Sequence, residues 1–208
     1  MGSRMMHLAA AKLLCDRIPV RDAARFRLGS ILTDAESGEY GKDTHFKRVT
    51  PDGEKYFDLR SFRGEYGREI ASDDLYLGYY LHIVADAVYR YLVYEKYKWD
   101  PSVPGNVERL HNDYRLTNAC LSGKYGLSYD IVVPDGIENE RIVRRFPFTI
   151  DGFLEEMKSD FLPYKGGEPF FLTPAIADEY ISLAVEVCGK EYAAFSRGRS
   201  PVFEYSWK

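Results

Sequence analysis

The segment from Asp73 to Lys96 carries the clearest periodic pattern in the chain. Its apolar residues recur at helical spacing and form one stripe, which consists of Leu77, Leu81, Val84, Val88 and Leu92. Such a stripe is typical of a long helix that packs against a core. Ser72 or Asp73 can cap its first turn. A chain organised around this helix is expected to be mostly α-helical.

Several other stretches predict further helices. They cover residues 5–16, a segment that opens near Val20, and residues 55–69, 106–124, 149–162 and 173–196. The last of these begins with Thr173-Pro174, a capping residue followed by proline at the first helical position. The 208 residues suit one domain, 1–208, in which residues 1–4 could be a cloning remnant.

The remaining segments predict loops. The second helix is expected to give way to a loop near residues 29–34, and residues 35–50 predict a long polar loop with an extended piece at 44–49. Residues 129–148 predict a short hairpin or a loop, because Pro134-Asp135-Gly136 favours a turn. Long loops in small domains often carry function.

Composition narrows the class of protein. The net charge of -4 gives no electrostatic footprint for nucleic acid, and no apolar run reaches the roughly 18 residues that a transmembrane helix needs. Cys15, Cys120 and Cys188 are far apart and odd in number, which favours a reduced, cytoplasmic protein. The sequence leaves a homo-oligomer open.

Two polar residues interrupt the apolar character of the Asp73–Lys96 helix. His82 and Asp86 stand at i and i+4, so both side chains point to one face, as two ligands of one metal ion do. Gly78 lies one turn earlier on that side, where the missing side chain lets another element or a ligand come close. The alternative is a structural pair in which the carboxylate orients the imidazole.

Three further residues are candidates for the same chemistry. His7 lies on the first predicted helix, Asp34 follows an apolar stretch, and His45 lies in the long loop. Each also has an ordinary interpretation, as a core histidine, a loop cap and an exposed loop histidine respectively. Together they give the order His, Asp, His and then HxxxD, and His with carboxylate ligands suits zinc.

This order resembles the bacterial zinc-dependent phospholipase C family, in which an early helical His, a loop Asp, a nearby His and a later HxxxD helix build the metal site. The sequence around these residues also resembles that family, in the segments LGSILTD (28–34), THF (44–46) and LGYYLHIVAD (77–86). The resemblance covers about the first hundred residues.

The resemblance implies a mostly α multi-helix domain with the fold of that family. It also implies a hydrolase for a small phosphoester that uses metal-activated water. His45, His82 and Asp86 would be the core ligands, with His7 joining them or holding a neighbouring ion. Asp34 would be a ligand or the catalytic base. The family's later HxxxE motif is missing, and His111 is the only His after Asp86, so the expectation is one divalent ion, or two that share an Asp.

The helix that starts near residue 106 adds two candidates. His111 or Asp113 could orient a metal ligand or contact the substrate, although a solvated helix start is an equal alternative. Two rival functions stay open for the whole chain. One is a metal-binding protein without turnover, and the other is a structural helical domain without metal.

Overall fold

Nine α-helices and three short strands provide most of the regular structure in residues 2–36 and 40–208, the part of the chain that the computed structural model describes. The helices are α1 (Arg4–Cys15), α2 (Ala23–Leu32), α3 (Gly41–Thr44), α4 (Leu59–Ser72), α5 (Asp74–Arg90), α6 (Asn106–Tyr125), α7 (Arg141–Arg145), α8 (Ile150–Met157) and α9 (Pro174–Ser196). The expected mostly helical class is confirmed.

The three strands form one small antiparallel sheet. They are β1 (Lys47–Val49), β2 (Lys55–Phe57) and β3 (Ser206–Trp207), in the order β1-β2-β3. Strand β1 confirms the second half of the extended piece expected at residues 44–49, whereas residue 44 ends α3 and residues 45–46 form a turn. Residues 37–39 of the predicted loop, like Met1 of the predicted remnant, lie outside the described residues.

Helix α5 lies at the centre of the structure. Every residue from Asp74 to Tyr89 is buried, and α1, α2, α4 and α9 all pack against it. A helix that is covered on all sides is normally apolar all round. The few polar side chains of α5 are therefore exceptions, and they lie in the protein interior. A π-helical segment, Tyr91–Lys96, continues α5 and completes the helix predicted for residues 73–96.

Helices α2 and α5 approach each other closely at two glycines. A Cβ atom at Gly29 would overlap the Leu75 carbonyl oxygen, and one at Gly78 would overlap the Phe26 carbonyl oxygen. Each helix therefore has a notch that receives the backbone of the other. The missing side chain of Gly78 was expected to let another element or a ligand come close, and the structure places helix α2 there.

One sequence prediction about a loop was wrong. Helix α2 does not end near residue 29 but continues to Leu32, because its last turn is buried against α5. Of the hairpin or loop predicted for residues 129–148, the structure has the loop, with the expected turn at Pro134-Asp135-Gly136. It also contains a 3-10 turn at Ile137–Asn139 and helix α7, and Phe148 forms a single bridge with Glu36. The hairpin is instead β1–β2, so the helix predicted for 55–69 begins at Leu59 as α4.

The remaining predicted helices agree closely with the structure. Helix α6 ends one residue later than expected, and α8 is followed by a 3-10 turn at Lys158–Phe161. The three cysteines form no disulfide. Within residues 2–36 and 40–208, no helix is both long and apolar enough to cross a membrane.

The notch at Gly78 and the open space at Gly189 predict opposite effects for two glycine-to-alanine changes. Gly78→Ala should lower the free energy of unfolding by about 1–3 kcal/mol, because its Cβ must displace the backbone of α2. Gly189→Ala, in the interior of α9 with no atom near the added Cβ, should raise it by about 0.5–1 kcal/mol. Urea unfolding of both variants measures this, and equal effects would exclude the notch.

Candidate metal centre

Five predicted residues from four parts of the chain converge on one point. His82 and Asp86 extend from α5, and His7 extends from α1. Asp34 comes two residues after the end of α2, and His45 directly follows α3. The Tyr79 hydroxyl donates to the Thr44 carbonyl oxygen at 2.6 Å, which fixes the segment before His45 to α5.

Short distances connect the side-chain atoms of four of these residues. His45 Nε2 lies 3.2 Å from Asp34 Oδ1, 3.4 Å from His82 Nε2 and 3.5 Å from Asp86 Oδ2. His82 Nε2 lies 3.9 Å from Asp34 Oδ1 and 3.7 Å from Asp86 Oδ2. Ligands of a tetrahedral zinc ion, with bonds of about 2.0–2.2 Å, are separated by roughly 3.3–3.5 Å. The observed spacing therefore suits a shared ion after small adjustments.

Two imidazoles form hydrogen bonds through Nδ1, on the side away from the cluster. These bonds determine which ring nitrogen carries the hydrogen. His82 Nδ1 lies 2.7 Å from the Ser30 carbonyl oxygen, and His45 Nδ1 lies 2.8 Å from that of Gly41. A carbonyl oxygen only accepts, so each Nδ1 must carry a hydrogen and donate it. In the neutral imidazole Nε2 is then a lone-pair nitrogen. Two lone pairs that face each other need a cation or a proton between them.

His7 completes the cluster from the side of α1. Its ring stacks on that of His82 with centroids 3.9 Å apart, and its Nε2 lies 3.4 Å from Asp86 Oδ1 without hydrogen-bond geometry. Among the described residues, His7 Nε2 and Asp86 Oδ2 are buried and have no hydrogen-bond partner. Burial lowers the pKa of His7, which favours its neutral, metal-binding form.

The charge of the cluster requires compensation. Asp86 is fully buried and the Asp34 side chain is 14 % exposed, yet in the described parts of the chain neither forms an ion pair with Lys or Arg. Although burial opposes ionisation, His7 and His82 hold the pKa of Asp86 well below its usual range. Buried charges are normally paired or bound to metal, and a divalent cation would balance two carboxylates.

Protonation of His82 is the alternative form of compensation. Burial disfavours the charged imidazole, but Asp34 and Asp86 outweigh it and raise the pKa of His82. A structural His–Asp pair, the ordinary interpretation of HxxxD, would use this proton. It would leave His7 Nε2 without a partner, whereas an ion held by His7, Asp34 and His82 would use that nitrogen.

A cleft of about 770 Å³ opens onto the cluster at Asp34. The other four side chains of the cluster are at most 1 % exposed. The cleft walls come from the start of α1, the segment after α2, and helices α6 and α8; they include Gly2, Ser3, Arg4, Glu36, His111, Tyr114, Arg115, Asn118, Thr149, Phe153, Glu156 and Asp160. Solvent therefore reaches the cluster through Asp34.

The two residues predicted on α6 have different positions. His111 is exposed and lines the cleft, where it can contact a bound molecule. Asp113 is buried, and its carboxylate accepts hydrogen bonds from the backbone amides of Phe170, Phe171 and Leu172 at 2.7–2.8 Å. Because these three amides occupy both of its oxygens, Asp113 fixes the 170–172 segment rather than a metal ligand or a substrate.

Some residues that shape the site were not found from the sequence. The carbonyl groups of Ser30 and Gly41 orient two imidazoles, and backbone groups leave no mark in side-chain patterns. Tyr79 and Gly29 belong to the sequence segments that carry the family resemblance, but their roles follow only from the packing of α2 and His45 on α5.

Comparison with protein-family models, with curated proteins and with solved structures finds no match for this chain. The resemblance to zinc-dependent phospholipases C therefore stays a prediction, based on the order of five residues.

Metal analysis of the purified protein tests the cluster directly. Wild-type protein should carry about one or two divalent ions per chain, and His82→Ala and His45→Ala should lose them. His111→Ala is the matched control, because His111 lies outside the cluster, and it should keep the ions. Removal of the ions by a chelator should lower the Tm of the wild type by about 5–10 °C. Metal-free wild-type protein that resists metal loading would leave the protonated His82 pair as the explanation.

Proposed function

We propose that this protein is a metal-dependent hydrolase that cleaves phosphoesters with metal-activated water. The ion, for which zinc is the best candidate, would be held by His45, His82 and Asp86, with Asp34 at its open side. His7 would join these ligands or hold a neighbouring ion. Imidazole and carboxylate ligands suit zinc, and also manganese, iron or nickel. One ion is the simplest case, and Asp86 could bridge two, because its two oxygens face different histidines.

One observation carries the proposal. Three imidazoles and two carboxylates converge without a Lys or Arg counter-charge in the described chain, and a single one of them, Asp34, lines an open cleft. Structural metal sites are closed by protein ligands, whereas catalytic sites keep one position accessible. Access through Asp34 therefore favours a reactive site.

The residues of the cleft have separate roles in this proposal. A divalent ion would supply an acidic water, with a pKa lowered from 15.7 towards about 7, and would stabilise negative charge on a phosphoryl oxygen. Asp34 lies between the cluster and solvent, where its carboxylate can accept the proton that the water releases. Arg115 and His111, both exposed on one face of α6, can bind phosphoryl oxygens.

A non-catalytic role is the second candidate, and burial favours it. His7, His45, His82 and Asp86 are as inaccessible as the ligands of a structural metal site. In that case the ion would only connect α1, α2, α3 and α5. Bound metal without hydrolysis of any phosphoester would support this role over the hydrolase.

Substitution of Asp34 tests its role in the proposed hydrolase. Asp34→Asn should lower kcat/KM for bis(4-nitrophenyl) phosphate by at least about 100-fold, because the amide cannot accept the proton. Asp43→Asn is the matched control, because Asp43 is exposed and pairs with Arg48 outside the cluster.

Metal content and circular dichroism of the same Asp34→Asn protein complete this test. Retained metal with lost hydrolysis would assign Asp34 as the base, and joint loss would assign it as a ligand. Unchanged hydrolysis in Asp34→Asn would remove Asp34 from the mechanism.

A further inference from the structure

The cleft at Asp34 adjoins a second cavity, of about 620 Å³. The two cavities share four lining residues, which are Arg4, Arg115, Glu156 and Asp160. We call these four residues the waist and the second cavity the outer chamber. Asp34 lines the first cleft and not the outer chamber. Because the two cavities meet at the waist, a ligand that reacts at Asp34 can extend across the waist into the outer chamber.

The outer chamber contains an exposed apolar segment. Leu162, Pro163 and Tyr164 line it directly after the 3-10 turn at Lys158–Phe161. Leu162 is 64 % exposed and Tyr164 is 45 % exposed, although both are large apolar residues. Adjacent exposed apolar groups beside a cavity are typical of a binding surface.

The ring of Tyr164 has a fixed support. It lies against the backbone of Gly166, where a Cβ atom would overlap its edge. The Arg115 guanidinium lies 5.9 Å from the ring centroid, near the outer limit of a cation–π contact. Arg115 makes no ion pair among the described residues, so it can move to admit a flat group above Tyr164.

The charges of the side chains that line the waist and the outer chamber indicate what kind of group the outer chamber can bind. Arg4 is paired with Asp160 at 2.7 Å and lies 3.9 Å from Glu156, so the two arginines and two acids of the waist balance. Glu155 also lines the outer chamber. An uncharged group is favoured there, and the positive edge of an aromatic ring complements carboxylates better than an alkyl chain does.

We propose that the outer chamber binds a planar aromatic substituent of the phosphoester, stacked on Tyr164, while the phosphoryl group lies at Asp34. This inference rests on the proposed hydrolase function and adds the class of substrate. Tyr164 is then a specificity residue that does not contact the reacting atoms.

The binding of three phosphonates to the metal-loaded protein tests this inference. Methylphosphonate, hexylphosphonate and 2-naphthylphosphonate share one head group and cannot be hydrolysed at the carbon–phosphorus bond. In calorimetric titrations, the naphthyl compound should bind about tenfold more tightly than the other two. Tyr164→Ala should abolish this preference and leave methylphosphonate binding unchanged, whereas Tyr164→Phe should keep it.

A substitution outside the cavity is the control. Val132→Ala removes an exposed apolar side chain that lines neither cavity, and it should keep the preference. Equal binding of the three compounds would overturn the aromatic site and leave the hydrolase proposal intact. Hexylphosphonate binding as tight as that of the naphthyl compound would overturn the aromatic class. If none of them binds, the phosphoryl site itself fails, and both proposals fail with it.

Discussion

The charge balance of two carboxylates, one buried and one half-buried, is the constraint on which the site depends. Asp86 lies on the fully enclosed helix α5, and Asp34 is held beside it by its position after α2. Two of the three neighbouring imidazoles, those of His45 and His82, already donate from Nδ1 to backbone carbonyls. The protein therefore directs lone pairs and negative charge at one point, and an ion or a proton must complete the arrangement.

Access from solvent to the cluster is restricted to one residue. Asp34 alone among the five residues lines the cleft, whose far walls are α6 and α8. The first ninety residues thus contain the groups that can hold an ion, while the space in front of it is shaped by both parts of the chain: the start of α1 and the segment after α2 on one side, and α6, α8 and the 162–164 segment on the other.

The sequence predicted which residues form the cluster better than it predicted the space around the cluster. HxxxD at helical spacing correctly placed His82 and Asp86 on one face of α5, and the order of His7, Asp34 and His45 added three residues that the structure brings to the same point. Side-chain patterns could not predict the carbonyls that orient His45 and His82, nor that Asp113 would bind three backbone amides. Those contacts depend on tertiary packing, as does the last turn of α2.

The reciprocal glycines of α2 and α5 also restrict how the protein can move. One helical turn is about 5.4 Å, so a slide of α2 by one turn would carry the Ser30 carbonyl out of reach of His82. It would also drive side chains into backbone at both notches. The two glycine contacts therefore allow only one register between α2 and α5. Any opening of the site must therefore leave the α2–α5 pair intact and involve the walls that α6 and α8 provide.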